Sequence, residues 1–307
     1  MSGACDEFAL LRDNAAEAGV AWKEAPHVRR VAVDLPDGRR LSALRWGSGA
    51  PEVVLLHGGS QNAHTWDTVA LVLDRPLLAV DLPGHGLSDW RADHDYLIAD
   101  GAEDVAVAMS QLAPAARLVV GMSLGGLIAL ALAAAHPDLV PRLLLVDVTP
   151  GVNPEKVKAI NDFVRGPESF AGFDEILERT VRHNPGRTEA SLRRGVMHNA
   201  VAGPDGRWHW RWDPAGTSAG TLAAGAAGDH GQGGFDALWD AIEALGVPLV
   251  LARGSRSAVV DDDDVAELRR RKPDAGVVVV DGAGHSVQGD RPGDLAAVIA
   301  AVLGDEK

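Results

Sequence analysis

Apolar residues in this chain fall into two patterns. Val28–Leu35 and Arg40–Trp46 alternate apolar and polar positions on either side of Pro36-Asp37-Gly38. That predicts a β-hairpin closed by a tight turn. Six later runs are short and continuously apolar: Val53–Leu56, Leu77–Val80, Leu118–Val120, Leu143–Val146, Leu249–Leu251 and Val277–Val280. Successive strand side chains point to opposite faces, so a run without a polar face must be covered on both, as in a mostly parallel sheet. Helical spacing appears between them, over Ala102–Leu112, Leu124–Ala135, Phe235–Leu245, Val265–Arg271 and Pro292–Leu303. A hairpin followed by βα repeats predicts one large α/β unit with helices on both faces. A surface helix over Phe8–Ala21 is expected ahead of it.

The rhythm breaks between Val148 and Gly234. Over about 85 residues there is no apolar strand run, and a plain loop that long is rare. Helical patches occupy Pro154–Val164, Asp174–His183 and Thr188–Ala200, and a Gly/Ala-rich piece, Gly216–Gly234, leads back to the core. The expected organisation is an N-terminal extension (1–27), a core built from 28–150 and 235–307, and a helical cap (151–234) inserted after the sixth strand.

Composition narrows the function. At 307 residues the chain is long enough to bury a large core without disulfides, and the single Cys5 excludes an internal disulfide and a Cys-based metal site. A net charge of −14 repels phosphate backbones and anionic lipid. The basic cluster Arg269-Arg270-Arg271-Lys272 is short and flanked by acids. Nucleic acid is therefore not an expected partner. The longest apolar stretch, Leu127–Ala135, is far short of a membrane span, and residues 1–27 lack the apolar run of a signal peptide. A cytoplasmic location is expected.

Chemistry concentrates at the ends of the strands. Gly121-Met122-Ser123-Leu124-Gly125 fits G-x-S-x-G and lies between a strand and a helix, as a nucleophile elbow requires. The glycines permit a sharp turn, and Ser123 stands at a helix N-terminus, where developing negative charge is favoured. His57-Gly58-Gly59 follows the strand Val53–Leu56. A glycine-rich turn there can offer a free backbone N–H to an oxyanion, so Gly59 is expected to act with Leu124, and Ser60 is the next choice. Gly282-Ala283-Gly284-His285 follows the last strand and carries His285 toward the same edge. Asp81 is expected to accept loop N–H groups in a structural role. No His/carboxylate spacing suggests a metal, and no cofactor is implied.

Residues 28–150 and 235–307 resemble the α/β-hydrolase superfamily. The matching features, in order, are the hairpin, His57-Gly58-Gly59, Asp81-Leu82-Pro83-Gly84-His85-Gly86-Leu87-Ser88-Asp89, Gly121 to Gly126, the insertion, and Gly282 to Ser286. More narrowly, the chain is similar to the cap-bearing small-molecule esterases. The resemblance implies Ser123 as nucleophile, His285 as general base, and an acid from a strand end. Most members carry that acid at the position held here by Ser257. Two substitutes exist: Asp147, at the end of the sixth strand, and Asp261, which opens the run Asp261–Asp264. Asp147 is taken as the acid and Asp261 as the alternative.

Within the insertion, Trp208, Trp210 and Trp212 alternate with His209 and Arg211. An extended segment puts the three indoles on one face. They anchor the cap, and Trp210 is expected to line an apolar pocket over Ser123. The expected function is hydrolysis of an ester-like small acyl substrate by Ser123, His285 and Asp147. The alternatives are C–C bond hydrolysis, acyl transfer or perhydrolysis at the same site, or small-molecule binding without turnover.

Overall fold

The hairpin forms β1 (Val28–Asp34) and β2 (Arg40–Trp46), antiparallel, with Val28 opposite Trp46 and Asp34 opposite Arg40. The apolar runs form β3 (Val53–Leu56), β4 (Leu77–Val80), β5 (Leu118–Met122) and β6 (Leu143–Val146). The inserted segment adds β7 (Ser169–Phe170), β8 (Ala200–Ala202) and β9 (Trp208–Trp210), and the core resumes with β10 (Leu249–Gly254) and β11 (Gly276–Val280). This is a computed structural model, and it describes residues 6–152, 155–216 and 231–304, with backbone alone for 231–234. Eight strands make one sheet in the order β1-β2-β4-β3-β5-β6-β10-β11. The sheet is parallel from β4 to β11. The expected α/β fold class is therefore observed.

The helices are α1 (Leu11–Glu17), α2 (Asp67–Leu73), α3 (Ile98–Leu112) and α4 (Leu124–Ala135), then α5 (Lys158–Val164), α6 (Phe173–His183) and α7 (Glu189–Asn199) in the insertion. They continue as α8 (Gly231–Ala244), α9 (Asp262–Arg271), α10 (Val287–Asp290) and α11 (Pro292–Leu303). The continuous apolar runs are explained by two cores, one on each face of the sheet. Val54, Leu56, Val119 and Leu145 pack with α3, α4, α8 and α9. Val53, Leu55, Val120 and Leu144 pack with α1, α2 and α11. Each fully buried Leu or Val stabilises the fold by about 1.5–3 kcal/mol.

Several elements differ from expectation. Helix α2 was not anticipated, because its seven residues are too apolar to show an amphipathic stripe. α1 is shorter than expected; it lies at the surface, with Arg12, Asp13, Ala16 and Glu17 exposed and Leu11 and Ala15 buried in the second core. β11 is an edge strand, and Val278 and Val279 are exposed, so its apolar run does not mark two covered faces. The insertion is not purely helical: β7, β9 and β8 form a small antiparallel sheet. Most of the Gly216–Gly234 piece lies outside the described residues.

Candidate active site

The turn from β5 into α4 holds Ser123 at φ 51°, ψ −120°. A positive φ in a non-glycine residue costs about 1–3 kcal/mol and persists only where the surroundings impose it. The surroundings here are backbone. A Cβ on Gly121 would lie 2.3 Å from the Gly125 carbonyl oxygen, and one on Gly125 would lie 2.4 Å from that of Leu56. The Ser123 N–H donates to the Val146 carbonyl at 3.2 Å, fixing the turn against β6.

The loop after β3 faces this turn. The N–H of Gly58 donates to Gln61 Oε1 at 3.3 Å and that of Ser60 to His85 Nε2 at 3.1 Å. The N–H groups of Gly59 and Leu124 have no hydrogen-bond partner among the described residues. Ser60, the second choice for an oxyanion donor, is thereby already engaged. Two histidines that sequence reasoning passed over build this loop. His57 Nδ1 bonds the Gly58 carbonyl at 2.8 Å, and its Nε2 accepts from the Leu82 N–H at 2.9 Å. His85 Nδ1 bonds the Pro83 carbonyl at 2.9 Å while its Nε2 serves Ser60. Burial pushes both imidazoles below the ordinary value, His57 the more strongly, with His85 adding to its shift. Each is neutral and acts as a splint. Asp81 accepts the N–H groups of Ala63 (2.7 Å) and Leu87 (3.0 Å) and pairs with Arg30 at 2.6 Å. Its geometry is structural, as expected.

His285 stands in the loop after β11, and its Nδ1 lies 2.8 Å from Asp147 Oδ2. Asp147 is fully buried at the end of β6, with φ 52°. Its Oδ1 accepts the Gly254 N–H at 2.9 Å, and its Oδ2 also accepts the Ser257 hydroxyl at 2.5 Å. An ionised carboxylate only accepts, so the proton of the ring sits on Nδ1 and the Nε2 lone pair is free. Asp261 is elsewhere: it caps α9, accepting the Asp264 N–H at 3.0 Å and pairing with Lys156 at 2.9 Å. Ser257 has a place in the site that the motif comparison missed. Its hydroxyl joins Asp147, at the end of β6, to the loop after β10, and it also accepts the Val259 N–H at 3.0 Å.

Ser123, Gly59, His285 and Trp210 line one cavity of about 970 Å³, walled by the core on one side and by α5, α7 and the α6–α7 loop on the other. Trp210 stacks on Trp212 at 4.2 Å between ring centres and meets Phe170 edge-on. Trp210 thus packs in the insertion's own core and borders the cavity, while Trp212 reaches the main core through its bridge to His85. The cavity lining is more polar than the expected apolar pocket, with Asn14, Glu17, Arg187 and Arg194 among its residues.

His64, Asp67 and His198 bring three potential metal donors within 4.8 Å of one another. Their arrangement is that of a charge network. The rings of His64 and His198 stack at 3.7 Å and 12°, so their in-plane lone pairs lie in nearly parallel, separate planes and do not meet at one point. His64 has both nitrogens engaged, with Asp67 at 2.9 Å and Glu7 at 3.0 Å. Burial alone would lower the His64 pKa, but Asp67 and Glu7 push it up to about 9. Burial, reinforced by the His64 cation, pushes His198 down to about 3.

Comparison with known proteins identifies the family. A family model described as the alpha/beta hydrolase family matches residues 53–298. Esterase Rv0045c of Mycobacterium tuberculosis is 45% identical over 305 residues, covering 97% of this chain and 96% of its own length. The 3-hydroxybutyrate-oligomer hydrolase of Cupriavidus necator is 30% identical over 289 residues, covering 89% and 96%. A solved structure of the M. tuberculosis esterase superposes with a TM-score of 0.84 at 44% identity, covering 98% of this chain and 100% of that one. The chain therefore belongs to the alpha/beta hydrolase family and is a serine hydrolase of its esterase-like group.

Proposed function

We propose that the protein hydrolyses carboxylic esters of small acyl substrates through an acyl-enzyme formed on Ser123. The observation that carries this reading is the 2.8 Å contact of His285 Nδ1 with the buried Asp147 carboxylate, in the cavity that Ser123 borders. On this reading Ser123 Oγ attacks the ester carbonyl and passes its proton to His285 Nε2. The Asp147 carboxylate holds the tautomer and offsets the imidazolium charge. The oxyanion is received by the unengaged N–H groups of Gly59 and Leu124. His285 then protonates the departing alkoxide, and water, deprotonated by the same imidazole, releases the acid. The described residues of the insertion, 155–216, form a cap that closes the site, and Trp210 is one of its substrate contacts. We place the enzyme in a reducing compartment, the cytoplasm, on its lone Cys5. No helix among the described residues is long and apolar enough to cross a membrane.

The test is labelling by a fluorophosphonate probe alongside hydrolysis of p-nitrophenyl esters of graded acyl length. Wild-type protein should label and turn over. Ser123→Ala should do neither, losing several orders of magnitude in kcat. Unchanged labelling of the Ser123→Ala variant would overturn the assignment.

A further inference from the structure

The charged groups on the cavity wall do not all have partners. Arg194 is held by Glu17 and by Asn14 Oδ1 at 2.6 Å. Asp67 is held by His64. Arg187 is different. It lies in the loop between α6 and α7, and among the described residues no carboxylate oxygen comes within ion-pair distance of its guanidinium. Its one side-chain hydrogen bond runs from Nη2 to Ser191 Oγ at 2.8 Å. Its Nε is shut away from solvent with no acceptor. Burial holds its pKa below the usual guanidinium value, with Asp290 the only nearby charge opposing the shift. Asp290 is itself engaged, accepting the Gly284 N–H at 2.8 Å beside His285.

The guanidinium is also placed, not loose. It packs over Gly289 in α10, four residues past His285, where a Cβ would fall 2.8 Å from Arg187 Cζ and Nη1. Arg256 and Arg291 line the same cavity. With Arg194 and Asp67 already paired, the wall is left with an excess of cations in a chain whose net charge is −14. Arg187 is half-buried with its Nε fully enclosed, and an unpaired cation so placed is costly unless something neutralises it. A planar guanidinium matches a carboxylate with two parallel charge-assisted hydrogen bonds.

We propose that Arg187 receives an anionic group of the substrate, so that the natural substrate class is an ester whose acyl chain ends in a free carboxylate. This rests on the esterase reading of Ser123 and His285 and adds what the cavity selects. The carboxylate would meet the Arg187 terminal nitrogens while the ester carbonyl lies at Ser123. Hydrolysis then gives an alcohol and a dicarboxylate, with one water consumed and one proton released.

The experiment uses monomethyl esters of linear dicarboxylic acids with two to six methylenes. Each is compared with the methyl ester that carries a primary carboxamide in place of the carboxylate. Wild-type kcat/KM should favour the carboxylate at one or more lengths by about 10- to 100-fold. Arg187→Gln should remove that preference, mainly through KM, and leave the carboxamide esters within about threefold, while Arg187→Lys should retain part of it. Binding is read separately, as the thermal shift that linear dicarboxylates give wild type and Arg187→Gln. A wild-type enzyme indifferent to the carboxylate, or an Arg187→Gln variant that slows both ester series equally, overturns the inference. If no ester of either series, nor p-nitrophenyl acetate, is hydrolysed, the esterase reading has failed instead. The anion inference then stands or falls on whether dicarboxylates stabilise wild type more than Arg187→Gln.

Discussion

Replacing Asp147 with Asn removes one charge and hardly any volume, and the contacts of the carboxylate set the size of the effect. Oδ1 accepts from Gly254 N–H, and Oδ2 accepts from both Ser257 and His285. An amide has one acceptor and one donor end. Its carbonyl must stay on the Gly254 N–H, whose proton cannot move, so the NH2 falls on the side of His285. A donor there forces Nδ1 to accept, the ring proton shifts to Nε2, and His285 can no longer take the proton of Ser123. An inverted tautomer in such a triad lowers kcat by about four orders of magnitude, or roughly 5 kcal/mol in the barrier. Asp261→Asn is the control. Asn caps a helix as well as Asp does, and the partly exposed ion pair with Lys156 is worth at most about 1 kcal/mol. Its activity should stay within about threefold. The assay is steady-state hydrolysis of a p-nitrophenyl ester near pH 8, with a thermal melt to confirm folding. Asp147→Asn retaining more than a tenth of wild-type kcat would refute the reasoning, and loss confined to Asp261→Asn would move the acid to α9.

Ser257→Ala removes a hydrogen bond from the proposed acid without touching the base, so kcat should fall by about 3- to 30-fold with KM unchanged, a split visible in full saturation curves. Gly125→Ala puts a methyl 2.4 Å from the Leu56 carbonyl oxygen and should cost more than about 3 kcal/mol or abolish soluble expression, as urea titration will show; a variant of wild-type stability would refute the packing assigned to the turn. His64, raised to about 9, contributes stability fully present below its unfolded value of 6.5 and lost as pH climbs to about 9. His64→Gln should flatten the fall in melting temperature across that window, which corresponds to up to roughly 3 kcal/mol. His198, held down to about 3, acts in the opposite sense. Protonation of the unfolded chain erodes stability as pH drops below 6.5, and His198→Gln should soften that loss.

The sequence alone determined the core layers, because the period of its apolar residues admits few alternatives. Val53–Leu56, Leu77–Val80 and Leu143–Val146 are too short for helices and have no polar face, so they could only be covered strands. The positions of Ser123, Gly59 and His285 were legible for a related reason: each is tied to a strand end by glycines whose spacing is local. Tertiary structure decided what depends on approach between distant segments. Asp147 and His285 are 138 residues apart, and no local pattern separates Asp147 from Asp261. Only the parallel pairing of β6 with β10 brings Asp147 to Gly254 and Ser257. His57 and His85 look like loop histidines until their ring nitrogens are seen to close the turns around Ser60 and Leu82. Arg187 reads as a surface residue of a polar loop, and it becomes a cavity residue only because the inserted segment folds back over α10. Local spacing fixes which residues leave a strand end together. Whether a charge is paired or left open is set by long-range packing, which short-range pattern does not encode.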